Sequence, residues 1–461
     1  MEVAVSCPAS SHQQWVLLLT GFGPGHLFPS LELCRHIASR NYKTTLIVFS
    51  HLYSSIIPSF TQNPLIDVVQ VPSPSPRPGI PVRLQQDTYD QLNRVLKDIL
   101  SGGSVKPVCA VVNMFILMNW TKEIFKNYQV PVVGFFTSGA CSPAMEYASW
   151  KAGTEGLVPD KLRPLPGLPD EMGLTTVNIK RRPSRAQFMG NGLAIPSVHT
   201  SASQNLGPPG PGKRPDWMDD VHEDNLVGLF FNTFDYLEGP FLEYLASQLK
   251  RPAWGVGPLL PDCYWEVETP LVGDREVRVN TNKSSVADQV NIVDWLDTKL
   301  VRSVLFISFG SSLSPTDEEQ AELAEALAES AWPFIWVVQP GANYFPHGLE
   351  ERVSHRGLVI AGWAPQLLIL SHRSTAGFLS HWGDQYDNAK LVVDYLKVDY
   401  RITEDPSSYA NKSDFLNAME RLMGDTGKVK DRADEVRSRF GSGFPSSSNA
   451  ALDDFENSIR S

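Results

Sequence analysis

The first residues that suggest chemistry lie in a glycine-rich turn, GFGPGHLFP, at positions 21–29. The turn follows an apolar run that predicts a strand, so His26 falls near the strand's carboxyl end, where parallel sheets bind ligands. A lone histidine in a turn is usually just solvated. The spacing of Gly21, Gly23 and Gly25 does not fit a dinucleotide site, because His26 takes the place of the third glycine. The next strand also ends without an acidic residue for a ribose, which makes a dehydrogenase the weakest interpretation.

A second group of chemically suggestive residues lies in the last third of the chain. The sequence SFGSS at 308–312 ends a predicted strand, and a Gly-Ser pair there can present hydroxyl and amide groups to a phosphate. Further on, residues 363–385 read WAPQLLILSHRSTAGFLSHWGDQ. Taken singly, Trp363 fits a core aromatic and His381 a strand-end histidine. The combined order W-A-P-Q, H, G-F, S-H weakens that structural explanation for the set.

Together these motifs resemble the plant UDP-dependent glycosyltransferases, family 1 of the glycosyltransferases, and the resemblance runs from GFGPGH to the C-terminal helix. It implies an α/β chain with the GT-B fold, in which two doubly wound Rossmann-like domains face each other across a cleft. Residues 1–258 would bind the acceptor and 259–445 the UDP-sugar, with 446–461 forming a helix that packs back on the first domain. The UDP-sugar, by default UDP-glucose, is a co-substrate, and no further cofactor is implied.

The resemblance assigns the general base to His26, in G-H-x-x-P. In the family, an Asp at the end of the strand matched here by CAVVNMF fixes the tautomer of this base and stabilises its imidazolium. No acid lies between Val105 and Lys122; Asn113 is the nearest match, with Asn119 as the alternative. An Asn can accept a hydrogen bond from the ring but carries no charge. In a serine protease the same Asp-to-Asn change costs about 10⁴ in rate, which serves here as an upper guide.

The resemblance also assigns a set of donor-binding residues. Thr137 would contact the sugar or phosphate, although Thr-Ser before a helix is also ordinary turn chemistry. Trp363 would stack on uracil, an interaction worth roughly 1–3 kcal/mol, with Gln366 near the base and His381 donating to the diphosphate. The full set is Thr137, Ser311, Trp363, Gln366, His381, Gly383, Asp384 and Gln385.

The donor signature departs from the family in its middle, because Gly383 runs directly into Asp384. The family has Trp-Asn-Ser, a Glu and a Gly-Val-Pro strand between them, about twenty residues, or one helix and one strand with their turns. The gap removes a helix N-terminus that would meet the diphosphate and the Glu that would hold the ribose. Several lost hydrogen bonds predict donor binding weaker by some 3–5 kcal/mol. The sheet would lose a strand, and Asp384 and Gln385 would move by about 4.8 Å or more.

Apolar strand patterns alternate with helical patterns in both halves of the chain, which predicts parallel sheets covered on both faces. Strands are predicted at 15–22, 44–50, 109–115, 130–136, 303–310, 333–339, 358–363 and 377–381. Helices are predicted at 28–40 (opened by Pro29), 88–100, 121–128, 317–330, 384–396, 413–422, 428–440 and from 448. Loops are predicted at 72–84 and 196–216, and an interdomain linker at 262–290.

Size and composition narrow the function classes. A chain of 461 residues predicts two domains of roughly 200 residues each, and its net charge of −11 argues against nucleic acid or an anionic membrane as partner.

Five cysteines without a C-x-x-C pair predict reduced thiols in the cytoplasm. No apolar run nears the roughly 18 residues of a membrane span, and no secretory signal pattern opens the chain. The histidines lack metal-ligand spacing, so we expect no metal, and a monomer by default.

The sequence therefore predicts inverting transfer of a sugar from UDP to a hydroxyl of a small lipophilic or phenolic plant metabolite, such as a flavonoid. A rival from another class is a catalytically idle relative that keeps the acceptor pocket as a binding or regulatory protein. The missing acid and the missing segment favour this rival, whereas retention of His26, Trp363 and His381 favours the enzyme. A third possibility, an altered or mis-spliced version of an active parent, fits the intact flanks of the gap.

Overall fold

The computed structural model describes most of the chain as two parallel sheets with helices packed against them. The described residues are 13–72, 86–102, 105–114, 116–159, 161–179, 212, 214–265, 286–310, 315–338, 345–380, 386–403, 408–424, 427–440 and 443–460. The first sheet contains β1 Trp15–Leu19, β2 Lys43–Phe49, β3 Ile66–Val71, β4 Cys109–Asn113, β5 Val132–Phe136, β6 Leu226–Phe231 and β7 Ala253–Gly255. The second contains β8 Val304–Ser308, β9 Phe334–Val338, β10 Gly357–Ala361 and β11 Thr375–Leu379.

The helices fall between these strands and after them. They are α1 Pro24–Ser39, α2 Ser50–Tyr53, α3 Pro58–Thr61, α4 Gln86–Gly102, α5 Ile116–Asn127, α6 Cys141–Ala152, α7 Thr176–Ile179, α8 Asp235–Leu249, α9 Val286–Asp297, α10 Asp317–Glu329, α11 Leu349–Val353, α12 Gln366–Ser371, α13 Tyr386–Lys390, α14 Lys412–Gly424, α15 Lys428–Ser438 and α16 Ser446–Arg460. A π-helical turn, Leu391–Tyr395, continues α13. Single 3₁₀ turns lie at Asp170–Met172, Asp216–Asp219, Asp262–Tyr264 and Ser354–Arg356.

In each sheet the strand order reverses its direction once. Among the described residues the first sheet has the order β3-β2-β1-β4-β5-β6-β7 and the second β10-β9-β8-β11. The order changes direction between β1 and β4 in the first sheet and between β8 and β11 in the second. Such switch points leave a crevice at the carboxyl ends of the strands, where α/β proteins bind their ligands.

The strands of the first sheet are apolar because both faces are covered. In β1, Leu17 and Leu19 pack into one core cluster while Val16 and Leu18 pack into the cluster on the opposite face, as the two-residue period of a strand requires. Long helical stretches, such as α4 and α10, cover the faces of the sheets. This arrangement agrees with the predicted doubly wound α/β class.

Two local predictions were wrong. Helix α1 begins at Pro24, not at Pro29, which lies inside the helix. A proline is favoured in the first turn of a helix, where its missing N–H would have had no partner, and Pro24 meets that condition. The predicted linker at 262–290 is also too long, because α9 already begins at Val286. The predicted loops at 72–84 and 196–216 lie largely outside the described residues.

The segment after the second sheet crosses to the first. The Lys390 ammonium donates to the Gly173 carbonyl, and the Cys141 thiol donates to the Asp387 carbonyl at 3.4 Å. Leu391 and Leu396 are buried in a core cluster of the first sheet. Residues 386–398 therefore pack against the first sheet, although they follow the last strand of the second.

Helix α16 packs on the edge of the first sheet, and Phe455 is its main contact. Its ring lies 4.9 Å from that of Phe230 and 5.9 Å from that of Trp254, and it is only 2% exposed. We predict that Phe455→Ala lowers the free energy of unfolding by about 3–5 kcal/mol, because it leaves a cavity between aromatic rings. Asp453→Ala on the same helix is the control: its side chain is 68% exposed and pairs with Arg40, so its loss costs under about 1 kcal/mol. Equal urea midpoints for both variants would contradict this packing.

Asp399 is a partly buried carboxylate in the crossing segment. Burial raises its pKa to about 6, although the Tyr400 amide donates to its Oδ1 at 2.7 Å. A raised folded pKa gives stability that is complete below about pH 4 and is lost as the pH rises through about 6. We predict that Asp399→Asn matches the wild type near pH 4 and exceeds it at pH 7–8 by up to about 2–3 kcal/mol. Urea denaturation across pH tests this, and a difference that does not vary with pH would refute it.

Candidate active site

His26 lies on the first turn of α1, at the carboxyl end of β1 and beside the switch point of the first sheet. The prediction that it sits in a turn before the helix is corrected by this placement, because the helix starts two residues earlier at Pro24. The helix follows Gly23, whose backbone is extended. The imidazole is half-buried, so it lies at the surface of the crevice rather than inside the core.

The imidazole of His26 is held by a threonine from another strand. Thr137 follows β5 directly, and its Oγ1 lies 3.1 Å from Nδ1 of His26. In the tautomer whose proton is on Nδ1, the ring donates to Thr137 and Nε2 is the basic nitrogen. The sequence resemblance assigned Thr137 to the donor sugar; the contact with His26 was not foreseen.

Asn113 and His26 meet at Gly21. Asn113 ends β4 and is 4% exposed. A Cβ added to Gly21 would lie 2.9 Å from the Asn113 Oδ1 and 2.7 Å from Cγ of His26. The structure therefore brings the predicted base and its predicted partner to one place. The alternative partner, Asn119, belongs to α5, and its side chain lies outside the described residues.

Asn232, at the end of β6, fixes the turn that carries Thr137. Its Nδ2 donates to the Thr137 carbonyl at 3.1 Å, and its backbone amide donates to the carbonyls of Phe136 and Ser138. Its Oδ1 accepts from the Leu259 amide at 2.7 Å. The sequence analysis assigned no role to Asn232 and missed its link to the site. The available signal was a polar residue immediately after the apolar strand LVGLFF.

The N-terminus of α6, the helix after Thr137, is occupied by a carboxylate of the protein itself. Glu238 is 6% exposed, and its Oε2 accepts from the Cys141 amide at 2.7 Å. Burial raises the pKa of Glu238, and the hydrogen bond from Cys141 opposes that shift. A diphosphate would have to bind elsewhere, which is consistent with a donor site on the second sheet.

An aromatic cluster lies next to the His26 crevice. The ring of Phe22 stacks on Phe49 at 4.3 Å and meets the edge of Trp120 at 6.0 Å, and Trp120 in turn meets Tyr89 at 5.6 Å. Nε2 of His51 lies 2.9 Å from the Phe22 carbonyl. Phe22 and Trp120 are half-buried, so parts of both rings face solvent. Such a wall suits a flat apolar molecule whose polar group points toward His26.

Two of the predicted donor residues lie at the carboxyl edge of β10. The Gly362 amide donates to the Val338 carbonyl at 2.7 Å, and the left-handed φ of +105° at Gly362 turns the chain into Trp363. Trp363 is half-buried, and Gln366 is exposed at the start of α12. The remaining residues of the predicted set in this half, Ser311, His381, Gly383, Asp384 and Gln385, lie outside the described residues.

Other classes of site find no support in the described ranges. No group of three His, Cys, Asp or Glu side chains in them is arranged to hold a metal ion. Nor does any described helix combine the length and apolar character needed to cross a membrane.

The contact at Gly21 gives a stability test with a matched control. Gly21→Ala would overlap the His26 ring and the Asn113 oxygen, which typically costs about 1–3 kcal/mol and would displace the imidazole. Gly25 lies inside α1, and a Cβ added there would have no neighbouring atom within 4 Å. Gly25→Ala should therefore stabilise the protein by about 0.5–1 kcal/mol, because glycine weakens a helix relative to alanine. Urea denaturation of both variants checks the prediction, and a tolerated Gly21→Ala would disprove the close approach.

Comparison with known proteins agrees with this geometry. Residues 283–388 match the model of the family "UDP-glucoronosyl and UDP-glucosyl transferase". The Scopoletin glucosyltransferase of Nicotiana tabacum is 25% identical over 477 residues, covering 90% of this chain and 89% of the relative. The UDP-glucose flavonoid 3-O-glucosyltransferase 7 of Fragaria ananassa is 27% identical over 436 residues, covering 84% and 81%.

A solved structure shows the same fold along nearly the whole chain. Glycyrrhiza uralensis UGT73P12, complexed with glycyrrhetinic acid 3-O-monoglucuronide, superimposes with a TM-score of 0.75 at 20% identity, covering 97% of this chain and 96% of that one. The predicted GT-B fold is confirmed. The family model and the near full-length relatives make the chain similar to the plant UDP-dependent glycosyltransferases, glycosyltransferase family 1.

Proposed function

We propose that this protein transfers the sugar of a UDP-sugar, by default glucose, to a hydroxyl of a small phenolic acceptor in plant secondary metabolism. The observation that carries the proposal is the imidazole of His26, whose Nδ1 contacts Thr137 at the switch point of the first sheet. A histidine whose ring is oriented by a hydrogen bond at one nitrogen is suited to act as a general base through the other.

The reaction follows from this arrangement. Nε2 of His26 takes the proton of the acceptor hydroxyl while the acceptor oxygen attacks the anomeric carbon of the sugar. The bond from that carbon to the diphosphate oxygen breaks, and UDP leaves with the electron pair. Attack opposite the leaving group inverts the anomeric carbon. The proton on His26 then passes to solvent, which restores the base.

The acceptor class rests on the aromatic cluster and on the relatives. Phe22 and Trp120 offer partly exposed rings close to the base, where a flat phenol can stack. Two relatives are named for a coumarin, scopoletin, and for flavonoid 3-O-glucosylation. Both observations favour a planar aromatic acceptor with a phenolic hydroxyl.

The donor would bind on the second sheet. Trp363 supplies a half-buried ring at the edge of β10 for stacking on uracil, with Gln366 beside it. Ser311 follows β8 and His381 follows β11 in the sequence, and these are the two strands of the switch point. This location supports their assignment to the diphosphate.

The thiols favour a reducing compartment, which we infer to be the cytoplasm. Cys34, Cys109 and Cys141 are fully buried and free. Burial raises the pKa of each thiol, so these groups are inert components of the core.

Calorimetric titration with UDP, followed by transfer assays with UDP-glucose and phenols, tests the proposal. We expect a dissociation constant near or below about 100 μM, equivalent to roughly −5.5 kcal/mol. Trp363→Ala should weaken UDP binding by about 1–3 kcal/mol. His26→Ala should reduce transfer by at least about 100-fold and leave UDP affinity unchanged, since it lies on the other sheet.

Trp363→Ala tests the donor site and His26→Ala tests the base, so each variant is a control for the other. If folded wild-type protein gives neither heat with UDP nor glucoside with any phenol, the enzyme proposal fails and a binding protein remains. If His26→Ala retains full transfer activity, the assignment of the base is wrong.

A further inference from the structure

We propose that Thr137 is the positioning residue for His26, and that its neutral hydroxyl restricts this enzyme to acceptors with an acidic hydroxyl. The inference deepens the proposed function and rests on it. It starts from one contact, Oγ1 of Thr137 at 3.1 Å from Nδ1 of His26. Thr137 would take over the tautomer-fixing role that the family resemblance gives to a carboxylate at the end of β4.

The threonine is well suited to hold the ring because it is itself held. The carbonyl of Thr137 accepts from Asn232 Nδ2, and the neighbouring carbonyls of Phe136 and Ser138 accept from the Asn232 amide. Asn232 is fixed in turn by the Leu259 amide. Threonine is also β-branched and has few χ1 rotamers, so the hydroxyl keeps its direction. A preorganised contact of this kind reduces the entropy lost in orienting the base.

The hydroxyl can fix the tautomer but cannot supply charge. A threonine oxygen has two lone pairs, so it can accept from Nδ1–H and leave Nε2 as the base. A carboxylate would do the same and would also stabilise the imidazolium that forms when the proton moves. Asn113, the residue that ends β4, is neutral as well. Thr137 and Asn113 therefore give the protonated base less stabilisation than an acid at the end of β4 would give.

This difference selects among acceptors. A phenol gives up its proton far more readily than an aliphatic alcohol, so a phenolic acceptor depends less on stabilisation of the imidazolium. An aliphatic alcohol needs nearly complete proton transfer to His26 as the new bond forms. We therefore expect the rate to rise steeply with the acidity of the hydroxyl and to be very low for aliphatic alcohols.

Kinetics separate this role from the donor contact that the resemblance assigned to Thr137. Thr137→Val removes the hydroxyl and keeps the shape of the side chain, so kcat should fall by about 10- to 100-fold while KM for UDP-glucose stays constant. Thr137→Ser keeps the hydroxyl and should stay close to wild type. Ser138→Ala removes the neighbouring hydroxyl of the same turn and should have no effect. A raised KM for UDP-glucose with kcat unchanged would overturn the positioning role.

The tautomer of His26 provides a readout that needs no turnover. In ¹⁵N NMR of the unliganded protein, we expect Nδ1 of His26 to be protonated in the wild type and in Thr137→Ser. In Thr137→Val the two tautomers should mix. If the wild type shows this tautomer but transfers no sugar, only the proposed function fails. If Thr137→Val leaves the tautomer unchanged, the present inference fails whether or not the enzyme is active.

Restoring a carboxylate tests the acceptor restriction. Asn113→Asp places an acid where the family pattern has one, at the place where a Cβ added to Gly21 would meet both Asn113 and His26. We expect it to raise kcat/KM for aliphatic alcohols at least about tenfold more than for acidic phenols, which would flatten the dependence on acceptor acidity. A parallel rise for all acceptors, or none, would show that charge beside His26 does not set acceptor choice.

Discussion

Parallel strand pairing in the first sheet is the constraint on which the candidate site depends. Because β1, β4, β5 and β6 are neighbours and parallel, their carboxyl ends form one row with a spacing of about 4.8 Å. His26, Asn113, Thr137 and Asn232 each follow or end one of these strands. Residues far apart in the chain thereby converge without any dedicated loop. The apolar packing on both faces of the sheet fixes the row of strand ends, and the hydrogen bonds of Thr137 and Asn232 then orient the His26 ring.

The segment after β11 links the two sheets more directly than the sequence indicates. Asp387, Lys390 and Leu391 are anchored in the first unit, whereas Leu379 ends a strand of the second. The connection from Ser380 to Tyr386 can span at most about 20 Å. By the family resemblance, about twenty residues are absent between Gly383 and Asp384, and their absence would shorten the path between the sheets in addition to removing donor contacts.

The sequence predicted the elements better than the contacts. Alternating apolar runs identified the strands because burial on both faces demands them, as in β1, β5 and β8. The start of α1 was misplaced because both Pro24 and Pro29 carry the signal of a helix start, and the helix begins at the first of them. The contact of Thr137 with His26 joins residues 111 positions apart and has no local signal in the sequence. The same holds for Asn232, whose role depends on the pairing of β5 with β6.

The sequence departs from the family pattern in two places, and each would act on a different step of the reaction. One is Asn113 in place of an acid, and the other is the gap between Gly383 and Asp384. A contact to the ribose is equally strong before and during the reaction, so the absence of the Glu that the resemblance assigns to the ribose would raise the donor concentration required and leave the chemical step unaltered. In the proposed mechanism, proton transfer to His26 occurs only as the bond forms, so the neutral Asn113 and Thr137 would act on the chemical step itself. Charge on the diphosphate increases as UDP leaves. The helix N-terminus that the gap removes would therefore contribute both to donor binding and to the chemical step. A chain with both departures can therefore remain an enzyme of narrow acceptor range and high donor requirement, because neither departure removes the base.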